Sequence, residues 1–150
     1  DSYGPVPELS GKKLYYTSTM TPGGKGGEDV LEVFRENGEW KDRRFVADIN
    51  SASNDSAISV SADGTEMIVF GNYPGSLGGG DIFFYRWDGY YWRGPESFGT
   101  PINSPYFDSD GIKTPDGKAL IFVSDRPGGY FDYQPKNNYF AGENWGNTDI

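Results

Sequence analysis

The chain has 150 residues, a net charge of −9 and neither cysteine nor histidine, which excludes disulfides, thiolate sites, a Ser-His-Asp arrangement and the usual zinc ligands. The acidity argues against nucleic acid, where a positive footprint dominates affinity, and is read as a solubility device. Aromatics are 17 % of the residues, with 22 Gly and 10 Pro, a mixture that favours strands joined by tight turns, and no apolar run nears the roughly 18 residues of a membrane span.

The first signals form one round of a pattern. Residues 10–18, SGKKLYYTS, read as a turn leading into a strand. Pro22-Gly23-Gly24 marks a loop, and residues 28–34, EDVLEVF, are strand-like. Asn37-Gly38 is a strong hairpin turn, because both positions tolerate positive φ. Trp40 follows, then Arg44-Phe45-Val46 as an expected short fourth strand, and Asp48-Ile49-Asn50-Ser51 as the link onward.

The pattern then returns. Residues 55–71, DSAISVSADGTEMIVFG, carry a turn at Ala62-Asp63-Gly64. Pro74-Gly75, the strand-like residues 80–86, Asp88-Gly89, Trp92, Ser97-Phe98-Gly99 and the link Pro101-Ile102-Asn103-Ser104 follow in the same order. A third round opens with residues 108–125, DSDGIKTPDGKALIFVSD, whose turn is Thr114-Pro115-Asp116-Gly117-Lys118. Gly11, Gly64 and Gly117 keep a period of 53, as do Ser18, Gly71 and Ser124. Four antiparallel strands in about 50 residues is the size of one β-propeller blade. The fold class is therefore all-β, with blades at about 1–54 and 55–107 and a truncated third at 108–150.

In the third round Pro127 is separated from the matching Asp149 by 15 residues more than its counterparts, an insertion within 130–147, YFDYQPKNNYFAGENWGN. Propellers close with about four to eight blades. The expectation is an incomplete ring, a piece of a longer chain whose start is not Asp1. The alternative is an assembly in which several copies complete the ring.

The elements Asp-Ser-x-x-Ile-x-x-x-Asp-Gly, then Ser-Asp-Arg-Pro-Gly-Gly and Gly-Gly-Asp-Ile-Phe, resemble the WD40-like propeller repeat called PD40. They stand here at 108–129 and 79–83, and Pro101-Ile102-Asn103-Ser104-Pro105-Tyr106 resembles the segment between its repeats. Such repeats occur in periplasmic propellers of the Tol system and in envelope proteins with an OmpA-like peptidoglycan-binding domain. The resemblance implies a propeller, a periplasmic or cell-envelope location and a binding role. Ser10-Gly11 departs from the family's turn.

Most acidic residues read as turn and loop makers. Asp29, Asp81 and Asp149 precede third strands, Asp55 and Asp108 precede first strands, and Asp63 and Asp116 sit in turns. A carboxylate there bonds backbone of its own loop, and a function needed once is not built into every blade. Asp108-Ser109-Asp110-Gly111 begins like a calcium loop, but its fifth and twelfth positions are Ile112 and Ala119, which supply no side-chain oxygen. Its turns also differ from a sialidase Asp box. Asp110, Asp132 and Glu143 could flank a glycosidic bond, which makes a glycoside hydrolase the third-ranked function. The glycine runs lack the Gly-Lys-Ser/Thr ending of a phosphate loop.

The insertion carries Tyr130, Phe131, Tyr133, Tyr139, Phe140 and Trp145 among Gly, Asn and Pro. Such loops supply contact area at low entropy cost, unless the rings fold down over their own blade. In a four-stranded blade, the loop between strands two and three opens at the same end as the inter-blade link. Tyr106 and Phe107 are therefore expected to join the insertion in one binding surface. The reading is a non-enzymatic binding module for an envelope protein or for other domains of the parent chain, with carbohydrate or peptidoglycan binding as the alternative. It calls for no cofactor, metal, nucleic acid or membrane span.

Overall fold

The computed structural model describes residues 1–127. Consecutive strands pair antiparallel in sequence order, because each expected turn folds the chain back beside itself. The first sheet contains β1 (Ser2–Pro7), β2 (Lys13–Thr19), β3 (Glu28–Glu36) and β4 (Glu39–Phe45). The second contains β5 (Asp55–Val60), β6 (Glu66–Gly71), β7 (Asp81–Trp87) and β8 (Trp92–Ser97). A hairpin of β9 (Asp108–Lys113) and β10 (Leu120–Ser124) follows. The architecture is all-β, two four-stranded antiparallel sheets of the size expected for propeller blades followed by a hairpin; among the described residues the sheets do not close a ring.

Gly11, Gly64 and Gly117 hold φ of 65°, 73° and 70°, the left-handed region that a side chain resists. Asn37 and Gly38, at φ 52° and 86°, make the β3–β4 turn, with the two positive values of a type I′ hairpin. The fourth strands differ from expectation. They begin at Glu39 and Trp92 and end at Phe45 and Ser97, so Val46, Phe98 and Gly99 lie beyond them. A tight turn returns the chain into register at once, and pairing starts at the turn. The acidic stretch at 108–111 is strand, not loop. Asp110 has φ 53°, and the β9–β10 register shifts there, as it does between Tyr3 and Val6 in β1 and between Ala57 and Ser59 in β5.

The sheets stack face to face. Tyr15 and Val30 of the first, with Val46 and Ile49 on the link that leaves it, meet Ala57, Met67, Val69, Phe83, Tyr85 and Trp92 from the second, with Tyr15 edge-on to Trp92 at 6.2 Å. Burying each such side chain stabilises by about 1.5–3 kcal/mol. The pleat sends Ile68 and Ile82 to the opposite face, where a Cβ on Gly111 would come within 3.3 Å and 3.2 Å of them. Glycine there lets the hairpin lie close on the second sheet. This is why Met67, Ile68 and Val69 are all buried and β6 shows no apolar alternation.

Polar ties close the joints. Thr17 and Ser56 hydroxyls lie 2.7 Å apart between the first two sheets. Ser59 donates to the Gly111 carbonyl at 2.9 Å, and Lys113 pairs with Glu66 across the second joint. The outer strand β4 is exposed from Glu39 to Arg44. It carries charges of both signs and a break in pairing beside Asp42, at φ 55°.

Candidate binding surface

The segments joining sheet to sheet are the first elements to place, because they carry Tyr106 and Phe107. Each is anchored by an asparagine. The Asn50 side chain accepts from the Val30 N–H at 2.7 Å and donates to the Val30 carbonyl at 2.9 Å. Asn103, one period later, makes the same pair with Ile82, at 3.0 Å and 2.8 Å. A carboxamide thus continues the strand ladder where the main chain has left it. Asp55 and Asp108 hold the far ends, accepting from the Ser51 N–H at 2.5 Å and the Ser104 N–H at 2.7 Å.

The loops between second and third strands lie against these links, as the topology predicted. Lys25 reaches the Ala47 and Asn50 carbonyls at 2.8 Å and 3.0 Å. A Cβ on Gly78 would overlap the Tyr106 carbonyl oxygen, and one on Gly26 the Ser53 carbonyl oxygen. The loops are themselves tied down by buried carboxylates. Asp29 accepts from the Lys25 N–H at 3.1 Å, and Asp81 from the Leu77 N–H at 2.5 Å. The repeated aspartates therefore work on their own loops.

Tyr73 and Arg126 complete the scaffold. They stand 53 residues apart, and each reaches a preceding link and the aspartate that ends it. The Tyr73 hydroxyl donates to the Ile49 carbonyl at 3.3 Å, and burial pushes its phenol far above the ordinary value, so the proton stays on the oxygen. Arg126 donates to the Pro101 and Ile102 carbonyls at 2.6 Å and 2.5 Å and to Asp108 at 2.7 Å. The two aspartates respond in opposite directions. Burial raises the Asp55 carboxyl above the ordinary value. At Asp108 burial acts the same way but is outweighed by hydrogen bonds from Ser104, Ser124 and Arg126, which hold it below.

These anchors frame an open cleft of about 720 Å³ at the strand ends. Its walls include Asn54 on one link, Phe70 and Asn72 at the end of β6, Tyr106 and Phe107 on the other link, and Asp125 after β10. Tyr106 is 45 % exposed. Phe107 packs against Phe70, ring centres 5.2 Å apart, and its backbone N–H donates to Asp125 at 2.8 Å. Chemically the cleft offers three aromatic rings, two amide side chains and a carboxylate. That set can hold a peptide or the apolar face of a sugar through stacking and hydrogen bonds.

Of the expected site residues, the structure brings Tyr106 and Phe107 together on this cleft. Tyr130, Phe131, Tyr133, Tyr139, Phe140 and Trp145 lie outside the described residues, as do Asp132 and Glu143 of the carboxylate trio. Asp110 is exposed on β9, bonded to the Ser109 hydroxyl at 2.9 Å. Phe70, Asn54 and Asn72 were not singled out in the sequence. Their signal was positional, since Asn54 precedes a first strand and Phe70 and Asn72 close a second. Among the described residues, no group of three or more acidic side chains is placed to hold a metal ion.

No family model matches the chain, and no curated protein matches it. Among solved structures the chain is similar to TolB from Acinetobacter baumannii, with a TM-score of 0.43 and 17 % identity over 86 % of this chain. The match covers 39 % of that structure's chain.

Proposed function

We propose that the chain is a non-enzymatic binding module that takes a protein partner at the cleft between its inter-sheet links. The carrying observation is the link from Asn103 to Asp108, pinned at both ends, which holds Tyr106 and Phe107 in place before any partner arrives. Preorganised aromatics lose little entropy on binding, so more of their contact energy becomes affinity. The aromatic residues of 130–145 are proposed to extend this surface, since they follow Asp125 in the chain. The bacterial envelope, and the periplasm within it, is proposed as the setting from the PD40-like motifs at 79–83 and 108–129.

Carbohydrate is the second reading, favoured by the exposed Tyr106 ring close to Asn54 and Asn72. One experiment separates the two. Immobilised chain is exposed to an envelope extract and, in parallel, to a glycan array, each with wild type and with Tyr106→Ala. Proteins retained by wild type and lost from Tyr106→Ala support the first reading. Glycan retention lost from the variant, with protein capture unchanged, replaces it by the second.

A further inference from the structure

The chain seats its own cations at the sheet joints in one recurring way. Between the first two sheets, the Lys13 ammonium lies over the rings of Tyr15, Phe34 and Trp87, at 5.3, 5.4 and 5.7 Å from their centres. The Glu8 and Glu32 carboxylates stand 3.5 and 3.6 Å from it. At the next joint Lys113 lies over Phe84 and Phe98, 5.5 Å from each centre, and pairs with Glu66. Ring faces are electron-rich, and a carboxylate beside them adds a full charge, so together they hold a cation better than either alone. The cleft contains the same parts. Its walls carry the rings of Phe70, Tyr106 and Phe107 and, among the described residues, one charged side chain, that of Asp125. Asp125 Oδ1 accepts the Phe107 N–H at 2.8 Å, and among the described residues no lysine or arginine pairs with it. The adjacent Arg126 is engaged by the Pro101 and Ile102 carbonyls and by Asp108. One period before Asp125 stands Asn72, which also lines the cleft. The repeat therefore does not require a carboxylate at this position, and the charge calls for a separate reason.

We infer that the protein partner enters the cleft with a lysine or arginine side chain, its cationic head held between the aromatic rings and the Asp125 carboxylate. The inference rests on the proposed reading of the cleft as a protein-binding site and adds what that site selects. The rings cover the aliphatic stem of the side chain, and Asp125 takes its charge. Asn54 and Asn72 are left to bond the backbone of the same segment. The net charge of −9 draws such a segment in and turns acidic peptides and anionic glycans away.

The test titrates the whole chain with capped pentapeptides, acetyl-Gly-Ala-X-Ala-Gly-amide, and follows backbone amide shifts by NMR. X is arginine, lysine or citrulline, the last close to arginine in shape but uncharged. The arginine and lysine peptides are expected to shift the amides of Asn72, Phe107 and Asp125. The citrulline peptide is expected to bind about tenfold more weakly, and Asp125→Asn to weaken the arginine peptide by a similar factor. Asn keeps the acceptor for the Phe107 N–H and is the residue already present at position 72, so the variant removes charge and little else. The citrulline arm uses wild type and stands even if that variant does not fold. Equal binding of citrulline and arginine, full binding by folded Asp125→Asn, or no shifts at the cleft would overturn the inference. Capture of envelope proteins that is lost from Tyr106→Ala but kept by Asp125→Asn would also overturn it while leaving the cleft reading intact, so the two failures are distinguishable.

Discussion

At the scale of single residues, the molecule solves one problem twice with different chemistry. Tyr73 and Arg126 occupy one register position, and both lock a link carbonyl and an aspartate. Their consequences for pH are opposite. Asp108, held below its ordinary value of 3.8, contributes stability that is fully present above that value and is lost as pH falls through the depressed one. Asp55 is raised above 3.8, so its contribution is fully present below that value and is lost as pH rises through the raised one. At neutral pH, Asp108→Asn is therefore expected to cost about 2 kcal/mol, the scale of a hydrogen bond to a charged group, and Asp55→Asn clearly less. Urea midpoints at pH 7 measure both, and an equal loss would refute the asymmetry. Close approach gives a second prediction. Gly78→Ala would overlap the Tyr106 carbonyl, with an expected loss of about 1–3 kcal/mol. Gly79→Ala, where a Cβ meets nothing within 4 Å, should be near neutral in the same assay.

At the scale of elements, the turns were legible because they depend on one residue's φ, and Gly11, Gly64 and Gly117 declare it. The central strands were legible too, since an unbroken apolar run such as 67–70 needs cover on two faces. The starts of the fourth strands were misplaced because β8 reads WRGPES, with one apolar anchor at Trp92. Even that anchor does not transfer, for Trp92 is buried and Trp40 is 46 % exposed. The asparagine clamps were written at a constant spacing, yet nothing local says that Asn103 bonds a residue 21 positions back. That partner exists only once the sheet has formed. Asn103→Ala is accordingly expected to unlatch the Tyr106 link and speed hydrogen exchange at the Ile82 amide, with the Ile68 amide little changed. Equal acceleration at both would mean that the clamp supports the whole sheet rather than the link.

At the scale of the whole molecule, stability is shared between neighbouring sheets, because neither face of a twisted sheet is covered by its own strands. Trp92 shows the coupling: it belongs to β8, yet its ring packs on Tyr15 of β2. Trp92→Ala is expected to cost about 3–5 kcal/mol and to raise hydrogen exchange in β2 as well as in β7. Protection lost only in the second sheet would argue that the sheets unfold independently. The candidate site was half legible at this scale. The order of strands told which loops share an end, and the β6–β7 loop does lie against the Tyr106 link, while the insertion expected there falls outside the described residues. The cleft itself, with Asn54 and Phe70, required the stacking angle between sheets, which no pattern of residues reports.

The exposed outer strand β4 carries one more consequence. Its lysine, arginines and acids, together with the kink at Asp42, leave no flat row of free amides for another strand to join, and such edges are the usual seed of fibrils. Along this edge the rim is guarded by charge. A short strand-forming peptide added to the folded chain should therefore fail to dock on β4, read as unchanged amide exchange from Glu39 to Phe45. Replacing Lys41, Asp42 and Arg43 by threonine should remove that guard and let the rim recruit strands.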